Sequence, residues 1–146
     1  MLYALRVISV LLAALALVPA GAHLFSLAGK LRLDAAGYLA SQRAYDGWNL
    51  FAVVVIGALL STLVLTIALY RAGESWVLTA LAFLSIAGTQ VLFWAFTFPA
   101  NRATDNWRRL PEGWEALRAQ WEYSHAGAAI LNAAALLLLV LATTKA

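Results

Sequence analysis

Two histidines are the side chains of this 146-residue sequence best suited to proton transfer or metal binding. An unperturbed imidazole titrates near pH ~6.5, so it can exchange a proton around neutral pH, and its neutral form is a common metal ligand. His125 follows Glu122 by three residues, which places both on one turn of a helix. His23 is the second histidine. The sequence has no cysteine, which excludes disulfides, thiolate nucleophiles, iron–sulfur clusters and cysteine zinc sites.

An acid–base site without a metal is the interpretation that we favour. In such a site His125 abstracts a proton from an acidic carbon or a phenol. Gln42, Asn101 or Tyr45 then holds the resulting oxyanion by hydrogen bonding. We therefore predict that His125 and His23 are catalytic residues, and we expect no cofactor.

Two alternatives contain a metal. His23, Glu122 and His125 make a two-histidine, one-carboxylate set, which suits a single Fe(II) ion. A di-iron bundle needs a second Glu-x-x-His motif, and the sequence has none. A haem held by His23 and His125 requires opposed ligands with a flat apolar slot between them. We expect the iron site to be absent and the Glu122 side chain to turn toward solvent or an arginine.

Polar and aromatic residues repeat at helical spacing near both histidines. The three series are Tyr38–Gln42–Tyr45–Asn49, Gln90–Trp94–Thr97–Asn101 and Trp114–Leu117–Trp121–His125, the last continued two turns deeper by Asn132. The predicted substrate-binding residues are Tyr38, Gln42, Tyr45, Trp48, Asn49, Trp94, Asn101, Trp121 and Asn132. Among them, Trp48, Trp94 and Trp121 have rings that can stack on an aromatic substrate.

A structural interpretation competes with this one. Several of the tryptophans fit the aromatic belt at a membrane boundary, and Gln90 and Asn132 fit interhelical hydrogen bonds. Both histidines, however, gather at one end of the chain's spans with most of the polar side chains that enter them. Such clustering is costly in a membrane unless the groups line a cavity, so we expect His125 to face a cavity rather than lipid.

The composition indicates that a membrane-embedded fold positions these residues. Apolar residues make up 64% of the chain and charged residues 12%, too few to coat a water-soluble domain. The charged residues leave four uncharged windows, each long enough to cross a hydrocarbon layer of ~30 Å. We predict an all-α integral membrane four-helix bundle with up-down-up-down topology, forming a single domain over 1–146. The predicted spans are 3–27, 47–70, 75–98 and 123–143.

Two of the three connections are long, and they must lie on one membrane face, opposite the short turn after the second span. We predict a short extra helix in each, the first capped by Asp34 and the second beginning near Pro111 and running into the fourth span. Seven of the ten lysines and arginines lie on this long-connection face. We predict a multi-pass protein of the plasma (inner) membrane. The positive-inside rule places the long-connection face, with His125, on the cytoplasmic side of that membrane.

The motifs resemble a known family. Phe98-Pro-Ala-Asn101, Trp107 and Trp114-Glu-Ala-Leu-Arg118-Ala-Gln-Trp121-Glu-Tyr-Ser-His125 are similar to the third-to-fourth-helix region of the anthrone-oxygenase-like family of small membrane proteins. Gly21-Ala-His23-Leu-Phe, Lys30 and Tyr38 to Trp48 resemble the first connection of a bacterial branch. The resemblance implies a four-helix fold and oxidation of anthrones to anthraquinones by molecular oxygen without a cofactor. Many members carry an arginine shortly after the last histidine, where this chain has Ala126-Gly127-Ala128.

We therefore expect a cofactor-independent oxygenase that acts on an anthrone- or quinol-like substrate with His125 as general base. The alternative is a non-catalytic membrane module that binds a lipid or quinone, or a small subunit of a larger complex. Expected partners are a hydrophobic small molecule and the lipid bilayer. The small-residue runs 126–129 and 133–135 also fit a homo-oligomer. The scattered basic residues argue against nucleic-acid binding.

Overall fold

The computed structural model describes residues 1–144, and the chain is all-helical over that range. Lys145, which closes the fourth uncharged window of the sequence, lies outside the described residues. The helices are α1 (Leu2–Lys30), α2 (Ala35–Arg43), α3 (Phe51–Arg71), α4 (Val77–Leu92), α5 (Phe98–Ala103) and α6 (Trp114–Thr144). A 3-10 turn at Trp48–Leu50 leads into α3, and a π-helical turn at Phe93–Thr97 joins α4 to α5 without a break.

Four of the helical segments are long and apolar enough to cross a bilayer, as the uncharged windows predict. They are α1, α3 with its 3-10 turn, the continuous α4–α5 segment, and α6. Much of the surface of each is apolar and faces outward, which in a water-soluble domain would be a large exposed hydrophobic area. The chain is therefore a multi-pass membrane protein.

The four long segments pack in a closed ring, α1 against α3, α3 against α4, α4 against α6, and α6 against α1. The antiparallel order is fixed at one end by Arg6, whose Nη2 lies 2.6 Å from Oε2 of Glu74 in the short α3–α4 turn. Small residues let the helices approach closely: a Cβ placed on Gly127 would lie 3.0 Å from Cδ1 of Leu92. The core between the helices is built from alanine, leucine and isoleucine.

The two long connections meet at the opposite end, as the topology predicts. The carboxylate of Asp34 accepts a hydrogen bond from the amide of Gly37 at 2.8 Å and so caps α2, which confirms the expected first extra helix. Arg118 donates to the carbonyl of Leu33 at 2.7 Å. Arg43 reaches from α2 to the second connection, where its Nη2 donates to two backbone carbonyls.

The second extra helix begins at Trp114, three residues after Pro111, and continues into the last span, as expected. Residues near Pro111 form a turn, and α6 extends nine residues before the predicted span as one 31-residue helix. The turn before it contains three consecutive residues with positive φ, at 51° for Asp105, 53° for Asn106 and 59° for Trp107. This left-handed run lets the chain reverse within a few residues.

Candidate functional site

The two predicted histidines contact each other inside the bundle. Their rings are stacked, with centroids 4.3 Å apart and an interplanar angle of 29°. The Trp121 ring packs against both, at 4.2 Å from His125 and 4.8 Å from His23. On the α1 side, the rings of Tyr45 and Trp48 approach His23 at 4.3 Å and 5.8 Å. The site therefore has aromatic walls, which suits a flat hydrophobic ligand.

A buried ion pair lies beside the histidines. Nζ of Lys30 is 2.6 Å from Oε2 of Glu122, and both side chains are almost completely enclosed, with relative exposures of 6% and 0%. The other carboxylate oxygen of Glu122 accepts a hydrogen bond from the Tyr38 hydroxyl at 3.0 Å. Tyr38 is itself fully buried. A charge placed in a membrane protein interior is costly unless paired, and here both charges have partners.

The contact with Lys30 determines which ring nitrogen of a neutral His23 carries the proton. Its Nζ lies 3.1 Å from Nδ1 of His23. An ammonium can only donate, so Nδ1 must hold a lone pair, and a neutral His23 carries its proton on Nε2. Lys30 thus links the ion pair to the histidine pair, and the network runs from Tyr38 through Glu122 and Lys30 to His23.

Several buried polar atoms around this network have no hydrogen-bond partner within residues 1–144. They are Nε2 of His125, Nε2 of Gln42, Nε1 of Trp107 and Nε of Arg118. Buried polar groups in folded proteins are nearly always satisfied by protein or by water, so such a group calls for an explanation. Three of the four atoms are obligatory donors, and the fourth can accept a proton when His125 is neutral.

Tyr38 is a donor that stays protonated. Burial, followed by the neighbouring charge of Glu122 and the hydrogen bond to it, raises the pKa of the Tyr38 phenol above its usual range. Its ring packs edge-on against Trp107, with centroids 5.0 Å apart, and the Arg118 guanidinium lies 5.5 Å from its centre. The phenol therefore serves as a fixed hydrogen-bond donor to the carboxylate.

Most of the predicted binding residues reach this end of the bundle. Tyr45, Trp48 and Trp121 line the histidine pair. Asn101 lies one step further out, where its Oδ1 accepts a hydrogen bond from the Trp121 indole at 2.7 Å. Asn132 is buried deeper in α6, at 4% exposure, and its Oδ1 has no partner among the described residues. The Trp121 indole is thus oriented by Asn101.

The structure does not bring two of the predicted binding residues, Trp94 and Asn49, to the histidine pair. Trp94 is 62% exposed and packs on Phe93 and Phe98 at the outer surface, since the π turn at Phe93–Thr97 interrupts the helical spacing that linked it to Asn101. Asn49 is exposed as well. The series through Tyr38 and Gln42 stops at the end of α2, and Gly47, at φ 88°, turns the chain before α3.

The prediction that the Glu122 side chain turns toward solvent or an arginine is wrong, and its observed contacts bear on both metal alternatives. Its side chain faces the interior, and the ammonium of Lys30 lies within contact distance of both Glu122 and His23, where the iron alternative requires a metal ion. The part of the chain that the structure describes contains no group of three or more histidine, aspartate or glutamate side chains placed to hold a metal. Two stacked rings with centroids 4.3 Å apart leave no slot for a haem between them.

Sequence reasoning did not predict Lys30 as a site residue. Its spacing from His23 was a usable signal, because seven residues are two helical turns and place both side chains on one face. Trp107 and Arg118 were missed as well. Both enclose Tyr38, and only the folded connections bring them there.

A separate shallow cleft of about 330 Å³ opens on the surface of the long connections, lined by Leu39, Ala40, Arg43, Trp107 and Arg108. Neither histidine contributes to it. Comparison with known proteins adds no candidate function, since no family model, no curated protein and no solved structure matches this chain.

Proposed function

We propose that the protein is a membrane-embedded enzyme that oxidises a hydrophobic aromatic substrate with molecular oxygen and no cofactor, with His125 as general base. The observation that carries the proposal is the state of His125. Its Nε2 is buried and has no partner among the described residues, while its ring is stacked on His23, whose Nδ1 accepts a hydrogen bond from the Lys30 ammonium. A free imidazole nitrogen in a dry aromatic environment is suited to remove a proton from a carbon acid.

The proposed reaction balances with oxygen as the only co-substrate. His125 removes a proton from the CH₂ group of an anthrone-like substrate, and the electron pair delocalises onto the carbonyl oxygen as an enolate. The enolate carbon gives its electrons to O₂ and forms a C–O bond, and a proton completes a hydroperoxide. Loss of the second C–H proton breaks the O–O bond, leaving a new C=O and one water molecule. The CH₂ carbon loses both hydrogens and gains one oxygen, a four-electron oxidation, and O₂ is reduced by four electrons to the new carbonyl oxygen and one water molecule.

The aromatic walls and the family resemblance support this substrate class. Rings of Trp121, Tyr45 and Trp48 surround the histidines, and aromatic pairs of this kind contribute binding through stacked or edge-on contact. Anthrone chemistry is what the motif-level resemblance of the last two spans implies. The side chains around His125 pack closely, so we propose that the aromatic side chains move to admit the substrate.

The test is oxygen consumption and anthraquinone formation from anthrone by the purified protein in nanodiscs. His125→Ala should lower the rate by about 100-fold or more, the usual range for a general base, while leaving helical content unchanged. Tyr123→Ala is the matched control, because Tyr123 lies two residues away and is 59% exposed on the outer face of α6. Equal turnover by wild type and His125→Ala would overturn the proposal. Iron analysis and turnover in the presence of a chelator distinguish the metal-free route from an iron enzyme.

A second candidate function is a module that binds a quinone or lipid without transforming it. The close packing of Trp121 and His23 around His125 favours it, since side chains fill the site and leave no open path to oxygen beside His125. Tight anthraquinone binding that depends on His125, combined with no oxygen consumption above background, would select this candidate.

We also propose that the long-connection end faces the cytoplasm of the plasma (inner) membrane. Seven lysines and arginines lie at that end, against Arg6 and Arg71 at the other end of the described chain. The absence of native cysteine makes the test direct. Arg109→Cys should resist a membrane-impermeant maleimide in intact cells and react after lysis, while Arg71→Cys should react in both. The reverse pattern would overturn this orientation.

A further inference from the structure

Lys30 is a buried cation with unused binding capacity. An ammonium has three N–H donors, and two acceptors are within reach in the described chain, Oε2 of Glu122 and Nδ1 of His23. Nζ also lies over the rings of Tyr45 and Trp121, at 5.2 Å from each centroid. These two rings belong to the aromatic walls of the histidine site. The cation therefore lies against the aromatic walls of the histidine site, beside any ligand that packs on them.

We propose that Lys30 is the oxyanion-binding residue of this site, and that its ligand is an aromatic phenolate or enolate whose charged oxygen accepts a hydrogen bond from Nζ. The inference rests on the proposed function and specifies it. It assigns to Lys30 the role that sequence reasoning had given to Gln42, Asn101 or Tyr45. It also names the chemical class of the ligand, an aromatic ring that carries an ionisable oxygen.

The charge balance of the network favours an anion over a neutral ligand. The Glu122 carboxylate also accepts a hydrogen bond from the Tyr38 hydroxyl, so it keeps this donor when Lys30 donates a hydrogen bond to a ligand. In a weakly polar interior, an ammonium stabilises a nearby anion more than it does in water. A neutral aromatic hydrocarbon gains only stacking there.

Buried hydrogen-bond donors around Tyr38 also favour an anionic ligand over a neutral one. Gln42 Nε2, Trp107 Nε1 and Arg118 Nε are buried donors without an acceptor among the described side chains. Gln42 lies one helical turn from Tyr38, and the Trp107 ring and Arg118 guanidinium contact the Tyr38 ring. Glu122 is the one buried carboxylate among the described residues, and Tyr38 and Lys30 already engage it. A ligand rich in oxygen acceptors would satisfy a site with these donors.

The physical signature of this binding mode is a change in the acidity of the ligand. A cation within about 4–6 Å lowers the pKa of a phenol or carboxyl group by about 1–3 units. A hydroxyanthraquinone bound against Lys30 should therefore ionise at lower pH than the same compound in lipid. Ionisation of its phenol changes its visible absorption, so the protonation state of the bound ligand is read without any turnover.

The experiment titrates 1,8-dihydroxyanthraquinone between pH 5 and pH 11 in nanodiscs that contain wild-type protein, each variant, or no protein. Wild type should move the ionisation midpoint at least about one pH unit below that of protein-free nanodiscs. The double variant Lys30→Met with Glu122→Gln removes both charges together and avoids a stranded buried ion, so the fold is preserved. It should abolish the shift and weaken binding of the dihydroxy compound about tenfold, while unsubstituted anthraquinone binds within about twofold of wild type. Tyr123→Ala should keep the wild-type midpoint.

Two results would overturn the inference: a wild-type midpoint equal to that of protein-free nanodiscs, or an undiminished shift in the double variant. Glu122→Gln alone gives a further check, because a cation freed from its counter-ion should deepen the shift wherever that variant folds. His125→Ala separates the two proposals. A normal shift with no anthrone oxidation in His125→Ala supports both. If His125→Ala oxidises anthrone normally, the proposal that His125 is the general base is overturned and the proposal for Lys30 stands. If the double variant loses the shift but oxidises anthrone normally, Lys30 binds the ligand and does not contribute to the reaction.

Discussion

Lys30 and Glu122, one at the last residue of α1 and the other in the third turn of α6, form an ion pair that is closed off from solvent, with Nζ 2.6 Å from Oε2. The pair joins the first and last spans at the level where the long connections cover the bundle. It also stands between Tyr38 on one side and His23 on the other. A structural clamp and a charged binding site are therefore built from the same two side chains.

The ion pair between Lys30 and Glu122 predicts that the losses of stability on mutating the two residues are not additive. Glu122→Gln or Lys30→Met alone leaves one buried charge unpaired and should destabilise the protein by about 3–5 kcal/mol. The double variant should lose far less, because both desolvation costs disappear together. The measurement is reversible unfolding in mixed micelles, for all four combinations. Additive losses in the double variant would show that the two charges do not interact in the folded protein.

Arg43 predicts a local effect on the left-handed turn of the second connection. Its Nη2 donates at 3.0 Å to the carbonyls of both Asn106 and Trp107, two of the three residues with positive φ. Arg43→Met should release this turn, so hydrogen exchange at residues 105–107 should accelerate about tenfold or more, with little change in the spans. Arg109→Met, at an exposed position of the same connection, is the control and should leave exchange unaltered. Equal exchange in Arg43→Met and wild type would contradict the role of Arg43.

The sequence predicted the spans because hydropathy is a property of each segment alone. The bounds of α1 and α3 and the Asp34 cap follow from uncharged windows and local capping chemistry. The gathering of both histidines at one end follows from loop lengths. These features need no knowledge of how one helix is rotated or shifted against another.

The parts that failed depend on rotation and register between helices. The π turn at Phe93–Thr97 adds residues to a turn and so rotates Trp94 away from the face of Asn101, which periodicity of a regular helix cannot foresee. The turn is tied to α6, where Thr97 and Ser124 hydroxyls lie 2.7 Å apart. The contact of Lys30 with Glu122 depends on the shift of α1 along α6, which apolar helix faces leave undetermined. Neither was predictable from composition or spacing.

We predict that replacing Asn132 with an apolar residue makes the protein more stable. Its Oδ1 is buried without a partner among the described residues, in a stretch of α6 where Ala129 and Ala135 are also buried. Leucine has the same branching as asparagine and carries no polar atom, so Asn132→Leu should raise the free energy of unfolding by about 1 kcal/mol. Anthrone oxidation and ligand affinity should stay within about twofold. A loss of stability would instead indicate that the amide is satisfied, by an internal water or by another chain.

Tyr38 predicts a pH-dependent contribution to stability with a definite sign. Burial and the charge of Glu122 raise the pKa of its phenol in the folded protein, whereas in the unfolded chain it ionises near pH ~10. The contribution of a group with a raised folded pKa is fully present below its unfolded pKa and is lost as the pH rises above that value. Wild type should therefore lose stability relative to Tyr38→Phe above pH ~10, by about 1.4 kcal/mol per pH unit.

Below pH ~10 the order of the two proteins should be the reverse. Tyr38→Phe lacks the hydroxyl that donates to Glu122 at 3.0 Å and should be about 1.5–3 kcal/mol less stable than wild type, as for other hydrogen bonds to a charged group. The stability difference should thus be constant from pH 7 to pH 9 and shrink or change sign between pH 10 and pH 12. Unfolding of both proteins at each pH measures it, with Tyr123→Phe, altered at an exposed tyrosine, as the control that should track wild type throughout. A difference that stays constant to pH 12 would mean that the Tyr38 phenol ionises as readily in the fold as in the unfolded chain, which would contradict its burial beside the Glu122 carboxylate.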